Sequence, residues 1–283
     1  MTLGKNNKFE KLKAVMQQYA KADVMVAFSG GVDSSLLLAL ACENAKVEGR
    51  KVYAVTLHTM LHPAAELTQA KIIAEEMGAE HIVIAVDELS EADVLMNPKD
   101  RCYRCKKCLF EKVLKKAKEL SASTIIEGTN EDDLHVYRPG IQAVKELGIL
   151  SPLAEAGMTK ADVRELAKEY HVSSSNKPST PCLATRFPYG TELSYEKMRQ
   201  VEAAENYLKQ FGFYNVRVRV HQEKASEMVD AGEQLIARIE VDCEQLGLVM
   251  ENRGKIKGYF KRLGFRYVTL DIEGFRSGSF DGD

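Results

Sequence analysis

One stretch near the amino terminus decides the fold of this chain: Val24-Met25-Val26-Ala27-Phe28-Ser29-Gly30-Gly31-Val32-Asp33-Ser34-Ser35. Its apolar first half predicts a buried strand, and the Leu- and Ala-rich run after Ser35 predicts a helix. The two glycines between them let the backbone turn sharply and approach a ligand closely. The first N–H groups of the following helix, at the positive end of its dipole, favour an anion. The stretch therefore predicts a phosphate cradle.

The side chains of the cradle fit a nucleotide. Serine hydroxyls add donors, and Asp33 can cap the helix or hold Mg²⁺. The Walker loop has a different spacing and places a lysine on the terminal phosphates, whereas no lysine stands here. The pattern Ser-Gly-Gly-x-Asp-Ser-Ser instead resembles the loop of the ATP pyrophosphatases, or PP-loop enzymes, which cleave ATP to AMP and pyrophosphate while activating an oxygen on a second substrate. The resemblance implies ATP binding by Ser29, Gly30, Gly31, Val32, Asp33, Ser34 and Ser35.

Composition narrows the class of protein. A chain of 283 residues with 45% hydrophobic content predicts two domains and an ample core. A net charge of −2 argues against a strongly basic nucleic-acid surface. The chain starts without an apolar leader, and no apolar run approaches membrane-spanning length. We therefore expect a cytoplasmic protein with no membrane or nucleic-acid partner, whose six cysteines are not structural disulfides.

The first part of the chain alternates between strand and helix patterns. This alternation predicts an α/β fold with a doubly wound parallel sheet and ligands at the carboxyl ends of the strands. We assign residues 1–186 to this domain, a PP-loop ATP pyrophosphatase domain resembling the adenine nucleotide alpha hydrolases. Its predicted strands are Val24–Phe28, Lys51–Leu57, Glu80–Val86 and Thr124–Glu127, and its predicted helices are Ser34–Ala45, Ala64–Met77 and Cys105–Leu120.

The character of the chain changes after the Ser- and Pro-rich segment Ser173–Pro181. Helix and strand patterns that follow predict a smaller α+β domain over residues 187–283. We expect this domain to serve substrate binding and oligomerisation. Its predicted elements are a helix over Ser194–Gly212, strands over Val216–His221 and Ala237–Val241, a helix over Gln245–Leu263 and a strand over Arg266–Ile272.

Two further strand ends carry polar residues. Thr56 ends the second strand, where PP-loop relatives seat adenine and ribose. His58 and His62 follow it, although a loop histidine is more often only solvated. The fourth strand ends in a polar turn, and its position beside the cradle predicts a nucleotide or magnesium role for Gly128 and Asn130.

Three cysteines are candidates for sulfur chemistry: Cys102, Cys105 and Cys182. Cys102, Cys105 and Cys108 form two overlapping Cys-x-x-Cys spacings at a predicted loop-to-helix junction, where the helix start and nearby cations favour thiolates. A four-thiolate zinc site would need another close pair, which the sequence lacks. With Cys182, the first two could hold a 4Fe–4S cluster that leaves one iron open, while Cys108 could turn into the core. Two cysteines are expected to be small buried hydrophobes: Cys42 and Cys243.

Several motifs together resemble the LarE family over nearly the whole chain. The resemblance implies an ATP-dependent sulfur transferase that makes the pyridinium bisthiocarboxylate nucleotide used for the nickel-pincer cofactor of lactate racemase. Family members tend to self-associate, which implies a homo-oligomer. Besides the cradle, the motifs are Arg101-Cys102-Tyr103-Arg104-Cys105-Lys106, Glu127-Gly128-Thr129-Asn130, Tyr137-Arg138-Pro139-Gly140, Ser151-Pro152-Leu153, Pro181-Cys182-Leu183-Ala184-Thr185-Arg186-Phe187-Pro188-Tyr189-Gly190, Val201-Glu202-Ala203-Ala204-Glu205 and Val216-Arg217-Val218-Arg219.

The resemblance also implies a mechanism. ATP would adenylylate the carboxylates of pyridinium-3,5-biscarboxylic acid mononucleotide, and sulfur would then replace oxygen. In some members the cysteine that matches Cys182 sacrifices its own sulfur and becomes dehydroalanine. Other members carry extra cysteines and hold a 4Fe–4S cluster that delivers sulfide. Cys102 and Cys105 place this chain with the second group, and Asp33 would hold Mg²⁺.

Arginines in the second domain are candidates for binding the substrate phosphate. Arg217 and Arg219 alternate along a predicted strand, so both side chains can face one side and bind phosphate. Arg186 follows Cys182 closely, and Glu205 could position one of these arginines. Three alternatives stay open: a tRNA thiolase, an amide-forming synthetase of the same fold, and a nucleotide-binding regulator without turnover.

Overall fold

The structure is a computed structural model and describes residues 3–61, 65–136, 138–172, 181–223, 234–276, 278 and 280. The chain forms two compact units. The first unit combines Met1–Val94 with Asp100–Thr180, and the second combines Leu95–Lys99 with Pro181–Asp283. The units thus divide after Thr180, whereas the sequence analysis placed the domain boundary after residue 186. Three features named above lie outside the described residues: His62, Tyr137 and the segment 173–180.

The first unit is built from alternating strands and helices. Its strands overlap all four predicted ones, and the third has the predicted bounds. Its elements in chain order are α1 (Leu3–Tyr19), β1 (Val24–Ala27), α2 (Val32–Glu48), β2 (Val52–Thr59), α3 (Ala65–Glu76), β3 (Glu80–Val86), α4 (Glu88–Glu91), α5 (Arg101–Glu119), β4 (Thr124–Ile126), a 3₁₀ helix (Asp132–His135), α6 (Pro139–Glu146), α7 (Pro152–Glu155) and α8 (Lys160–Glu169).

Among the described residues of this unit, four strands form one parallel sheet in the order β3-β2-β1-β4. Successive side chains of a strand point to opposite faces. Accordingly, Val24 and Val26 join an apolar cluster with α2, while Met25 joins a second cluster with Phe110 of α5. Helices therefore cover both faces of the sheet, which confirms the doubly wound α/β prediction.

Parallel strands bring their carboxyl ends to the same edge of the sheet. Residue Val24 of β1 pairs with Val52 of β2 and with Thr124 of β4, so these three strands start in register. The cradle after β1, the end of β2 and the polar turn after β4 consequently meet at one edge.

The second unit has a three-stranded sheet in the order β5-β6-β7 among its described residues. β5 and β6 are antiparallel, and β6 and β7 are parallel. Its elements are a 3₁₀ helix (Leu183–Arg186), α9 (Tyr195–Lys209), β5 (Val216–Glu223), β6 (Gln234–Val241), a 3₁₀ helix (Cys243–Gln245), α10 (Leu246–Glu251), α11 (Arg253–Arg262) and β7 (Tyr267–Leu270). This arrangement agrees with the predicted smaller α+β domain.

Two details of the predicted elements were wrong. The single helix expected over Gln245–Leu263 is interrupted at Asn252, whose amide Nδ2 donates a hydrogen bond to the Leu248 carbonyl at 3.0 Å. An asparagine side chain that bonds the backbone in this way competes with continuation of the helix. Helix α1 was not predicted, although Phe9, Leu12 and Met16 form a buried stripe at helical spacing. Among the described residues, no helix is long and apolar enough to cross a membrane.

Candidate active site

The cradle has the backbone geometry that its glycines allow. Gly30 adopts a φ of +71°, which is in the left-handed region that favours glycine. Gly31 is the N-cap of α2 and provides no side-chain cap, so the first turn of α2 keeps N–H groups for a ligand. The Ser34 hydroxyl donates to the Gly31 carbonyl at 3.2 Å and accepts a hydrogen bond from the Ser29 N–H at 3.3 Å. The turn is therefore preorganised without a lysine.

A pocket of about 570 Å³ opens beside the cradle, entirely within the first unit. This volume suits a small-molecule ligand such as a nucleotide. Of the predicted ATP-binding residues, Gly30, Gly31, Val32 and Ser35 do not line the pocket, and Val32 packs in the apolar cluster of α2. The predicted residues that do line it are Ser29, Asp33, Ser34, Thr56, Gly128 and Asn130, together with the candidate His58.

The polar turn after β4 lies directly against the cradle. A Cβ atom on Gly128 would lie 3.0 Å from Asp33 Cβ and 3.3 Å from the backbone nitrogen of Ser34. Only glycine permits this approach without a shift of the backbone. Asn130 Nδ2 donates to Asp33 Oδ1 at 3.4 Å. The sequence prediction that Gly128 and Asn130 lie beside the cradle is therefore matched by their observed placement.

Thr56 also lines the pocket, but its hydroxyl already has protein partners. Its Oγ1 donates to the Phe28 carbonyl at 2.9 Å and lies 2.8 Å from His81 Nε2. Burial lowers the pKa of His81, so the ring is neutral at neutral pH. The Thr56 side chain thus ties β1 to β2 at the rim of the pocket.

A lysine reaches the cradle from a distant part of the chain. Lys160, the first residue of α8, forms an ion pair between its Nζ and Asp33 Oδ2. Helix α8 is held in place by a capping box between Thr159 and Asp162, and Asp162 also pairs with Lys8 at 2.9 Å. The sequence analysis missed Lys160; the Thr-x-x-Asp capping pattern could have predicted the helix start, although not its contact with the cradle.

A buried carboxylate forms another part of the pocket. Glu127 is 4% exposed, and it accepts hydrogen bonds from Lys106 Nζ at 3.0 Å, from the Thr129 N–H at 2.9 Å and from the Ser151 hydroxyl at 2.6 Å. Burial alone would raise the pKa of Glu127, but the charge of Lys106 and these hydrogen bonds outweigh it and lower the pKa below 4.5. Glu127 is therefore ionised at neutral pH.

Helix α5 carries the cysteine cluster beside this pocket. Lys106 and Leu109 line the pocket, and Cys102 and Cys105 precede them by one helical turn on the same face. Cys102 is exposed and Cys105 is half-buried. Burial raises the pKa of the half-buried Cys108 thiol, which disfavours its thiolate form.

The remaining cysteines lie elsewhere. Cys182 is half-buried and belongs to the second unit. Among the described residues, no group of three or more cysteine, histidine, aspartate or glutamate side chains converges as metal ligands would. Cys42 packs against the core as predicted, and burial raises its pKa to about 11. The prediction for Cys243 was wrong, because this residue sits in a 3₁₀ turn and is exposed.

The predicted substrate arginines differ in their surroundings. Arg186 is 1% exposed and forms a bidentate ion pair with Glu205 at 2.9 and 3.0 Å. Arg219 is buried and pairs with Glu240 at 3.0 Å. Arg217 is half-buried, lies over the Phe275 ring and has no ion-pair partner among the described residues. Burial, followed by the charges of Arg186 and Arg219, lowers the pKa of Arg217 to about 10.

A glycine-serine cradle at the carboxyl edge of a doubly wound parallel sheet, with a cation-bearing pocket beside it, defines an ATP-using enzyme of the PP-loop class. The sequence model of the asparagine synthase family matches residues 12–97, which include the cradle.

Relatives extend the match over nearly the whole chain. The chain is 38% identical to the pyridinium-3,5-bisthiocarboxylic acid mononucleotide synthase of Lactiplantibacillus plantarum over 256 residues, which is 90% of this chain and 87% of that protein. It is 37% identical to an uncharacterized protein of Synechocystis sp. over 96% of this chain and 97% of that protein. The chain therefore belongs to the LarE family, as its motifs indicated.

A more distant relative bears on the tRNA thiolase alternative. The tRNA-specific 2-thiouridylase MnmA of Rickettsia bellii is 26% identical over 56% of this chain and 53% of that protein. The chain spans only about half of that thiolase, whereas it spans most of the synthase. The tRNA thiolase alternative is therefore not favoured.

Proposed function

We propose that this protein is an ATP-dependent sulfur transferase that converts pyridinium-3,5-biscarboxylic acid mononucleotide to the bisthiocarboxylic acid. The observation that carries the proposal is the placement of two thiols of α5 one helical turn from an ATP-sized pocket that contains a PP-loop. The name of the L. plantarum relative supplies the product class. The product would serve the nickel-pincer cofactor of lactate racemase.

The pocket supplies the first half of the reaction. A substrate carboxylate oxygen attacks the α-phosphorus of ATP, and the bond to pyrophosphate breaks. N–H groups of the first turn of α2 and the Lys160 ammonium would stabilise the negative charge on the leaving pyrophosphate. Asp33 would hold Mg²⁺ once Lys160 moves from its carboxylate to the phosphates.

The second half of the reaction is sulfur transfer, which depends on cysteine. In the sacrificial route, the Cys182 sulfur attacks the activated carbonyl and AMP leaves with the electron pair of its oxygen. A base then removes the Cα proton of Cys182, and the Cβ–S bond breaks to leave the thiocarboxylate and dehydroalanine. In the route that we favour, Cys102, Cys105 and Cys182 would hold a 4Fe–4S cluster, and the chemistry that it would supply is delivery of sulfide. The exposed Cys102 and half-buried Cys105 have the spacing and accessibility that two of its ligands require.

The second unit would bind the substrate phosphate. Arg217 is the best candidate among the predicted arginines because no described carboxylate pairs with it. Its guanidinium carbon lies 5.2 Å from the centroid of the Phe275 ring, and its Nη1 donates to the Val216 carbonyl at 2.8 Å. Its Nε and Nη2 would donate to the anion.

Three measurements test the proposal. Turnover should release pyrophosphate and AMP, whereas release of inorganic phosphate would contradict the PP-loop assignment. Protein reconstituted without air should bind about four irons, as the proposed cluster requires, and should keep its mass after turnover. Iron-free protein that transfers sulfur while losing the mass of one sulfur atom would instead establish the sacrificial route through Cys182.

We also propose that the protein is cytoplasmic and self-associates, as the family resemblance implies. Light scattering coupled to size-exclusion chromatography should give a mass that is a multiple of 31.6 kDa. A monomer at micromolar concentration would contradict the proposed homo-oligomer.

A further inference from the structure

The segment that carries Cys182 is fixed by hydrogen bonds to its backbone carbonyl oxygens. Cys182 directly precedes the 3₁₀ helix Leu183–Arg186. Its carbonyl oxygen accepts hydrogen bonds from Thr185 Oγ1 at 2.8 Å, from the Thr185 N–H at 3.1 Å and from Arg186 Nη1 at 3.1 Å. Arg186 Nη1 also donates to the Pro181 carbonyl at 2.8 Å. One guanidinium therefore fixes the two peptide groups that flank the Cys182 Cα.

Arg186 is in turn fixed by Glu205 of α9. Nε and Nη2 of Arg186 donate to the two oxygens of the Glu205 carboxylate at 2.9 and 3.0 Å. Glu205 Oε1 also accepts the Val218 N–H of β5 at 3.0 Å. The Arg186–Glu205 pair thus joins the Cys182 segment, α9 and β5, and a planar fork of this kind fixes orientation as well as distance.

Burial excludes Arg186 from direct contact with a substrate phosphate. Its side chain is 1% exposed, and each of its three nitrogens already donates to a protein acceptor. Arg219 supports the same segment, because its Nη1 donates to the Thr185 carbonyl at 2.7 Å while its Nε pairs with Glu240. Arg217 remains the accessible cation of the three.

We propose that Arg186 and Glu205 are positioning residues for sulfur transfer: they fix the backbone that carries Cys182, and they do not bind the substrate. This inference rests on the proposed function. It reassigns Arg186, which the sequence analysis named as a candidate for binding the substrate phosphate, and it leaves that role to Arg217. Glu205 keeps the positioning role that the sequence analysis suggested for it, with Arg186 as its partner.

The test compares three variants with wild type. Removing one partner would leave a buried charge and could unfold the unit, so the main variant is the double substitution Arg186→Met with Glu205→Leu, which removes both charges together. Arg186→Lys keeps the charge but cannot form the bidentate fork. Arg199→Gln, an exposed arginine on the same helix as Glu205, is the matched control. Circular dichroism establishes that each variant is folded.

The first readout is the alkylation rate of Cys182 in ligand-free protein, followed by mass spectrometry, with Cys102 as the internal reference. This readout needs no turnover. A loosened segment should change the Cys182 rate by about threefold or more in the double variant, and less in Arg186→Lys, while the Cys102 rate stays constant. The control should match wild type. Unchanged Cys182 rates in both Arg186 variants would overturn the positioning role.

The second readout is the division between kcat and KM for the pyridinium mononucleotide. A misplaced sulfur should lower kcat by about tenfold or more and leave KM within about twofold, whereas Arg217→Gln should mainly raise KM. A raised KM with unchanged kcat in Arg186→Lys would mean that Arg186 binds substrate, and would overturn the inference. If wild type has no turnover with this substrate, the proposed function fails, while the alkylation rates still decide the positioning role.

Discussion

The nucleotide pocket of the first unit and the buried arginine pairs of the second unit, Arg186–Glu205 and Arg219–Glu240, both hold cations against carboxylates. They differ in exposure. Lys160 and Lys106 in the pocket have side chains that are 36% and 31% exposed, whereas the side chains of Arg186 and Arg219 are 1% and 5% exposed. A pocket cation can therefore exchange its carboxylate partner for a ligand. A buried arginine keeps its carboxylate partner and stabilises the fold.

This difference in exposure distinguishes cations that can bind a ligand from cations that stabilise the fold. Sequence alone shows charge and spacing, and by these criteria Arg186 and Lys160 are equally good phosphate ligands. The structure shows that, among the described residues, the Lys160 ammonium pairs with Asp33 at an open pocket, whereas the buried Arg186 side chain has several partners. Accessibility of the existing ion pair, rather than the presence of the charge, decides the role.

The largest expected effect is that of replacing Cys182, which should remove sulfur transfer while ATP binding is retained. Cys182→Ala should lower thiolated product formation by at least about 10³-fold, because no other thiol of the second unit lies in the segment that Arg186 fixes. ATP affinity, measured by calorimetry, should stay within about twofold, since the nucleotide pocket lies in the first unit. Wild-type activity in this variant would remove Cys182 from the mechanism.

The second effect tests whether every cation of the pocket is exchangeable. Lys106→Met leaves the buried Glu127 without its counter-charge, so the free energy of unfolding at pH 7 should fall by about 2–3 kcal/mol. Lys107→Met is the neighbouring control: it breaks a more exposed pair with Glu146, so the free energy of unfolding should change much less than in Lys106→Met. Denaturant titration measures both.

The same pair of variants predicts a pH dependence. The pKa of Glu127 is lowered below 4.5 in the folded protein, so its stabilising contribution is fully present above pH 4.5 and is lost as the pH falls through the folded pKa. The stability difference between wild type and Lys106→Met should therefore shrink below pH 4.5. A constant difference down to the acid transition would mean that the pair is not electrostatic.

The third effect tests whether Lys160 can exchange its ion pair with Asp33 for a phosphate. Lys160→Met should weaken pyrophosphate binding about tenfold, because an ammonium group leaves the phosphate site, while AMP, which lacks the terminal phosphates, should bind within about twofold of wild type. Lys168→Met, at an exposed position of α8, should change neither affinity. Equal weakening of AMP and pyrophosphate would indicate general damage to the cradle instead.

The smallest effect tests close packing at the pocket. Gly128→Ala must shift Asp33 or the backbone of Ser34 by a few tenths of an ångström, so ATP affinity should fall about fivefold. Gly247→Ala, where no atom lies within 4 Å of the new Cβ, is the control and should leave ATP affinity unchanged. Unaltered ATP affinity in Gly128→Ala would show that the turn after β4 can move away from the cradle at no cost.

Local patterns in the sequence predicted much of the first unit. The alternation of apolar runs and glycine turns located all four strands, since periodicity and turn chemistry are local properties. Gly128 and Asn130 were predicted beside the cradle because parallel strands share one carboxyl edge. The missed helix α1 did carry a signal, the apolar stripe of Phe9, Leu12 and Met16.

Pairings between distant residues could not be predicted in the same way. Lys160 and Asp33 are 127 positions apart, and nothing in either local sequence indicates the other. The burial of Arg186 likewise depends on where α9 places Glu205. Solvent exposure at Cys243 follows from a 3₁₀ turn that the pattern of apolar residues around it does not distinguish from a helix.

The contact between Lys160 and Asp33 links two binding equilibria. In the ligand-free protein the lysine acts as a built-in counter-ion for the carboxylate. In the proposed function, a divalent cation that binds Asp33 would release Lys160 toward the phosphates, and a phosphate that binds Lys160 would expose Asp33 to the cation. Thermodynamic reciprocity would then require that magnesium and pyrophosphate each tighten the binding of the other by the same factor. The cradle would thereby favour the metal complex of its ligand over either ion alone.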